Sequence, residues 1–219
     1  MQCLGLSKNM IYYQDEYCTL YHDKCQDILN ELKFDAIITD PPYGVDLKYG
    51  DRTNDSFEEW QHLMDWLMPF IIDSDIPSFI PTSKIEGEQY LYANYCPKWR
   101  ICWYKGATST RCSTGFKDWE HIFVYGKVKR MFHDYFACNT EPHTSEFRKS
   151  HPCPKPIGWA RWLLDKTVCA SDVIVDPFSG TGTTLAAAKE RNMKCIGIEA
   201  EEKYCEIISK RLSQEVFAF

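Results

Sequence analysis

Residues 173–212 constrain the fold more than any other part of the chain. Val173-Ile174-Val175 reads as a strand and Asp176-Pro177-Phe178-Ser179-Gly180-Thr181-Gly182 as a turn. Thr183 to Arg191 follows as an alanine-rich helix, Lys194 to Glu199 as a second strand and Lys203 to Leu212 as an amphipathic helix. This succession is half of a doubly wound sheet, in which helical crossovers join parallel strands. Gly180 and Gly182 permit close backbone approach to a ligand, and the start of the helix offers N–H groups with no intrahelical partner. Glu199 ends the next strand, where a carboxylate can accept hydrogen bonds from both hydroxyls of a ribose.

Other nucleotide-binding turns fit less well. A phosphate-binding loop needs Lys after its last glycine, but Thr183 follows Gly182. A dinucleotide fingerprint wants Gly or Ala where Leu185 stands. Two glycines alone are equally a plain strand-to-helix turn, so the case for a ligand depends on Glu199 and on a second motif upstream.

That motif is Asp40-Pro41-Pro42-Tyr43, at the end of the apolar run Asp35 to Thr39. The run reads as a buried strand, and two prolines cannot continue a central strand, so the tetrapeptide is a rigid turn at its carboxyl end. Ligand sites of α/β sheets lie just beyond such ends. The exocyclic amine of a nucleic-acid base is a poor nucleophile, because its lone pair is conjugated into the ring. To attack a methyl group it must pyramidalise. Asp40 can accept one N–H and the Pro41 carbonyl the other, favouring the positive charge that develops on nitrogen. Pro42 helps fix the direction of that carbonyl, and the Tyr43 ring can stack on a base rotated out of its helix.

Elsewhere Cys25 to Leu32 reads as a short helix, and Glu58 to Ile71 as a longer one with Trp60, Leu63, Met64 and Leu67 on one face. Ile76 to Ile80, Trp99 to Tyr104 and His121 to Tyr125 are further strands, and Pro156 opens a helix through about Lys166. Residues 127–150 read as a long loop.

Composition excludes some classes. No apolar run approaches the ~18 residues that span a bilayer. The first fifteen residues lack the basic and apolar regions of a signal peptide, so a cytoplasmic location, bacterial or in a phage-infected host, is expected. Eleven cysteines without zinc-type spacing read as free, mostly buried thiols, and no metal site is expected. The net charge of −6 disfavours general DNA affinity, but residues 98–130 carry eight basic and two acidic side chains. Lys105, Arg111, Lys117, Lys127, Lys129 and Arg130 are therefore candidate nucleic-acid contacts, with Trp99, Trp103, Tyr104, Phe116 and Trp119 interleaved for stacking. A solvated charged surface is the plainer alternative.

With both motifs in place, the chain resembles the β-class amino DNA methyltransferases, in the small form common in phage and restriction–modification systems. There too the catalytic motif precedes the S-adenosylmethionine (SAM) motif, a circular permutation of the usual order. Asp40 to Gly44 matches the catalytic motif, Asp176 to Thr183 the SAM loop, and Gly197-Ile198-Glu199 with Tyr204 the ribose-binding strand and next helix. His151-Pro152-Cys153-Pro154-Lys155-Pro156 is similar to the family's methionine-end segment, with Cys153 and Pro154 in place of Thr and Gln. Asp23, after His22, resembles the aspartate of a Gly-Asp pair that contacts the cofactor adenine.

The resemblance implies a circularly permuted Rossmann-like fold: one domain over residues 1–219, with a mixed, mostly parallel seven-stranded sheet and helices on both faces. A short target-recognition insertion is implied at about 105–150. It implies SAM as cofactor, held by Asp23, His151, Lys155, Asp176, Phe178, Ser179, Gly180, Thr181, Gly182, Thr183 and Glu199, with Lys155 near the cofactor carboxylate. Asp40, Pro41, Pro42 and Tyr43 would be catalytic, DNA the partner, and a homodimer is suggested by analogy alone. The activity implied is direct methyl transfer to adenine N6 of a flipped base, without a covalent enzyme intermediate. Cytosine N4, RNA adenine and a non-catalytic nucleic-acid-binding role remain alternatives.

Overall fold

A computed structural model describes residues 10–50, 55–82, 84–106, 114–140, 142 and 145–214. Arg111 of the expected basic strip, with Cys3 and Cys112, lies outside the described residues. The strands are β1 (Ile11–Gln14), β2 (Cys18–His22), β3 (Ala36–Ile38), β4 (Ser78–Thr82), β5 (Trp99–Tyr104), β6 (Trp119–Tyr125), β7 (Tyr135–Ala137), β8 (Ile174–Asp176) and β9 (Cys195–Glu199). The helices are α1 (Cys25–Ile28), α2 (Phe57–Ser74), α3 (Ile85–Asn94), α4 (Glu146–Ser150), α5 (Ile157–Thr167), α6 (Thr183–Lys189) and α7 (Glu202–Ser213).

All described strands join one sheet in the order β1-β2-β9-β8-β3-β4-β6-β5-β7. β2, β9, β8, β3 and β4 run parallel, β6 is antiparallel to both β4 and β5, and β7 is parallel to β5. The sheet is mixed and mostly parallel as expected, but it has nine strands rather than seven. The two outermost strands are β1, which pairs only with β2, and the three-residue β7. β7 forms inside the segment expected as loop because residues 134–138 complete the hydrogen bonds of the β5 edge, Cys102 N–H to Asp134 and Cys138 N–H to Tyr104.

Alternation along the central strands sends side chains to two cores. Ala36, Ile38 and Phe79 pack on one face with α5, α6 and α7, through Leu163, Leu185 and Ile208 among others. Ile37 and Ile80 pack on the other with α2 and α3, through Trp60, Met64, Leu67, Met68 and Leu91. Each fully buried side chain of this size contributes ~1.5–3 kcal/mol. α2 starts where the Ser56 hydroxyl accepts from the Glu59 N–H at 3.2 Å and stops at Asp75, whose φ of 53° is left-handed. Trp103 is a correction: expected to stack on bases, it is 2% exposed. Its ring lies parallel to Phe136 and its indole N–H donates to the Cys138 carbonyl at 2.7 Å.

The antiparallel course of β6 matters for function. Thr82, at the carboxyl end of β4, is opposite His121, and Ser78 is opposite Tyr125. Trp119 and Tyr104 therefore stand at the carboxyl end of the parallel strands, while Trp99 and the chain after Tyr125 stand at the other end.

Candidate active site

The carboxyl ends of β3 and β8 are adjacent, and both sequence motifs begin there. The Thr39 hydroxyl donates to Asp176 Oδ1 at 2.6 Å and so ties the two turns together. Asp40 follows. The Tyr43 hydroxyl donates to its Oδ1 at 2.5 Å, and the Lys155 ammonium lies 3.1 Å from the same oxygen. Lys155 also donates to the Tyr43 hydroxyl at 2.5 Å. Gly44 lets the chain leave the motif with a φ of +66°, and a Cβ there would stand 2.9 Å from Phe57 Cα. The buried Asp55 carboxylate then accepts the N–H groups of Gly44, Val45 and Leu47. Tyr204 pins the far end of that segment by donating to the Tyr49 carbonyl at 2.9 Å.

The glycine turn is built around Asp176 and Glu199. Asp176 Oδ1 also accepts the Phe178 N–H, and the Ser179 hydroxyl donates to the Asp176 carbonyl. Gly180 and Gly182 adopt φ values of 51° and 75°, where other residues are strained. The Glu199 carboxylate accepts the Gly180 N–H at 2.8 Å with one oxygen and the Glu201 N–H at 2.9 Å with the other. Burial pushes the Asp176 carboxyl up to about 6 and the Glu199 carboxyl up to about 7, against those hydrogen bonds. The Asp23 N–H donates to the Glu199 carbonyl at 3.1 Å, placing Asp23 next to the end of β9.

One cavity of about 310 Å³ joins these parts, a volume within the range of small-molecule sites. Asp23, His151, Lys155, Asp176, Phe178, Ser179, Gly180, Thr181, Thr183 and Glu199 all line it, as do Asp40, Pro42 and Tyr43. Gly182 and Pro41 do not line it. Gly182 packs toward Ile208, and Pro41 faces a much smaller space behind the motif. The imidazole of His151 packs against Tyr49 and Tyr204, near Gly180. Burial and the nearby Lys155 and Lys203 hold it down at about 4, so it is neutral, and Nδ1 accepts the Cys153 N–H.

Lys155, expected near a cofactor carboxylate, lines the cavity with its ammonium turned to the catalytic motif. Behind it stands a residue that sequence reasoning missed. Glu120 of β6 is buried, with Oε2 3.6 Å from Lys155 and Oε1 2.9 Å from Lys105. Burial works against ionising Glu120, but Lys155 and Lys105 outweigh it and hold the carboxyl below its usual range. The signal was a carboxylate one residue before the apolar run His121 to Tyr125. Burial pushes Asp40 upward while Lys155 and Tyr43 pull it back. Lys155 itself is disfavoured by burial but raised by Asp40 and Glu120.

The basic strip does not form one surface. Lys105 is a correction: it is 6% exposed and paired with Glu120, so it does not face a polyanion. Lys127, Lys129 and Arg130 follow β6 at the end of the sheet away from the motifs, a second correction to their expected place beside the target. There Lys129 pairs with Asp172 at 2.7 Å, and Arg130 donates to the Asp165 and Val168 carbonyls. Of the described candidates only Lys105 and Lys117 stand at the cavity end, and Lys117 is half-buried, next in sequence to the exposed Phe116 and two residues before the exposed Trp119.

Comparison with known proteins agrees with this geometry. The model of the DNA methylase family matches residues 98–210. The Type II methyltransferase M.HinfI of Haemophilus influenzae is 44% identical over 164 residues, covering 70% of this chain and 41% of that protein. The chain spans about two fifths of the length of such curated relatives, including 39% of M2.DpnII of Streptococcus pneumoniae, which is 32% identical over 45% of this chain. In fold, it is similar to the solved M1.HpyAVI–SAM complex, with a TM-score of 0.67 at 23% identity over 90% of this chain and 100% of that one. It is also similar to the PvuII cytosine-N4-specific DNA methyltransferase, with a TM-score of 0.70 at 12% identity over 96% and 92%. The match over more than half of its length, on top of the two motifs brought to one cavity, shows that the chain belongs to the DNA methylase family of amino methyltransferases.

Proposed function

We propose that this chain transfers a methyl group from SAM to the exocyclic amine of a DNA base, and that the base is adenine. The observation that carries the reading is the single cavity shared by Asp40 and Tyr43 on one side and by the glycine turn and Glu199 on the other. When bound, SAM supplies an electrophilic methyl group. Glu199 would hold the ribose hydroxyls, Asp23 the adenine end, and the backbone of the glycine turn would supply close contacts to the cofactor. Tyr43 and Lys155 both engage Asp40 Oδ1, which leaves Oδ2 to accept one N–H of the target amine. The motif assigns the other to the Pro41 carbonyl, although Pro41 lies outside the cavity's lining, and two such acceptors would stabilise the charge that develops on nitrogen. Aspartate rather than serine at the first motif position favours adenine within the family.

Target recognition falls to the segments flanking β6 at the cavity end, where Tyr104, Phe116 and Trp119 are exposed. Among the described residues no helix is long and apolar enough to cross a membrane, and the cytoplasm is the compartment where such an enzyme meets its DNA. The test is methyl transfer from labelled SAM to unmethylated DNA and, separately, RNA, followed by nucleoside mass spectrometry. N6-methyladenine from DNA is the expected product. N4-methylcytosine would correct the base and keep the chemistry, label in RNA alone would move the substrate, and SAM binding without transfer would leave a binding role.

A further inference from the structure

We propose that Glu120 is a positioning residue for methyl transfer: anchored by Lys105, its buried carboxylate holds the Lys155 ammonium against Asp40 and Tyr43. The inference rests on the function proposed above and deepens it.

Three observations carry it. Glu120, Lys105 and Lys155 are all less than one-tenth exposed, and they come from β6, the segment after β5 and the segment before α5. Lys105 donates to Glu120 Oε1 at 2.9 Å, Glu120 Oε2 lies 3.6 Å from Lys155, and Lys155 lies 3.1 Å from Asp40 Oδ1. Among the described residues Glu120 Oε2 is buried without a hydrogen-bond partner and lies 3.6 Å from the Lys155 ammonium, while Lys105 and Lys117 add favourable charge around the carboxylate. Burying a carboxylate is costly to the fold unless it is paired, and here the pairing is with Lys105 and Lys155.

The chemistry supplies a reason for a second carboxylate. A target amine acquires positive charge as it attacks a methyl group, and an ammonium beside Asp40 opposes that charge. Glu120, directly behind the ammonium, offsets it. It also holds Lys155 on Oδ1, so that Oδ2 stays turned to the amine. Small displacements of reacting groups are expensive, about a hundredfold in rate for ~1 Å.

The test uses the full chain and two readouts. Glu120→Gln keeps the shape and removes the charge. SAM affinity should stay within about twofold while kcat falls roughly tenfold or more, with KM for DNA little changed. In a Lys155→Met background the same substitution should cost no further rate, because Glu120 acts through Lys155. In the ligand-free protein, acetylation of lysines at alkaline pH, read by peptide mass spectrometry, should spare Lys155 in the wild type and modify it in Glu120→Gln. If Glu120→Gln folds poorly, the paired variant Lys105→Met with Glu120→Gln removes both charges together and should show the same loss of kcat. Additive losses in the Lys155→Met background, or an unchanged kcat with Lys155 equally protected, would overturn the proposal. A wild-type chain that methylates no nucleic acid would instead overturn the proposed function, and the labelling of Lys155 would still judge its contact with Glu120.

Discussion

Lys155 joins the two motifs: its ammonium lies 3.1 Å from Asp40 Oδ1, while its backbone carbonyl accepts the Thr183 hydroxyl at 3.0 Å. One residue of the His-Pro segment therefore bonds both to the catalytic turn and to the first residue of α6. Lys155→Met should lower methyl transfer by about a hundredfold, the scale of one lost preorganised donor. The SAM dissociation constant should move by less than about threefold, which is well under 1 kcal/mol. Stability should fall by about 3 kcal/mol, because the carboxylates facing Lys155 lose their buried partner. Stopped assays, calorimetry and thermal melts separate the three effects.

Glu199 should make cofactor binding depend on pH. Burial raises its carboxyl from 4.5 to about 7, so it takes up a proton as pH falls through neutrality and becomes a poorer acceptor for ribose hydroxyls. Between pH 8 and pH 6 the SAM dissociation constant should rise about tenfold in the wild type. It should be flat, and weaker at pH 8, in Glu199→Gln. The linked effect on stability has a definite sign. A carboxyl with a raised folded-state value favours the fold fully below 4.5 and loses that contribution as pH rises through about 7. From pH 5 to pH 8 the ligand-free melting temperature should therefore fall further in the wild type than in Glu199→Gln.

Gly182 should be needed for the turn and not for contact with the ligand. Its φ is +75°, and a Cβ would meet Ile208 at 3.0 Å. Gly182→Ala adds ~1–2 kcal/mol of left-handed strain before any crowding. That corresponds to a drop of about 2–8 °C in melting temperature for a chain of this size. SAM affinity measured well below the transition should change little.

Nucleic acid should be gripped at the cavity end of the sheet. Phe116 and Trp119 are 61% and 47% exposed there. Replacing both with Ala should weaken DNA binding by about tenfold or more, since stacking on one base contributes ~1–3 kcal/mol. SAM binding should be unaffected. Lys127→Ala, at the opposite end, should leave DNA affinity and its salt dependence as they are. Fluorescence anisotropy with labelled duplex at two salt concentrations distinguishes the two faces.

The C-terminal half of the sheet was the most legible part of the chain. There each element combines a strong period with an unambiguous stop: β8 ends at the Asp-Pro turn, and α6 and α7 follow within two residues of their expected bounds. The β1–β2 hairpin was hidden because Ile11–Gln14 and Cys18–His22 are short, rich in tyrosine and joined without glycine. α3 was missed for a related reason, since Ile85–Asn94 carries a weak apolar stripe with only Gly87 and Leu91 buried. Of the site, the backbone-dictated residues were readable: Asp40 to Tyr43, the glycines and Glu199 belong to turns whose chemistry is local. Glu120, Lys105 and the orientation of Lys155 were not, because their pairing joins residues far apart in sequence through register between strands. A basic residue in a basic stretch reads as surface until its buried partner is known.

The most direct test is a comparison of Asp40→Ala with the wild type, using labelled SAM and unmethylated DNA alongside calorimetric SAM binding. Asp40 lines the cavity but should touch only the amine, so the variant should transfer no measurable methyl group while its SAM dissociation constant stays within about threefold of the wild type. Retained methyl transfer, or loss of SAM binding in a folded Asp40→Ala protein, would contradict the division of the cavity into a catalytic motif and a cofactor turn.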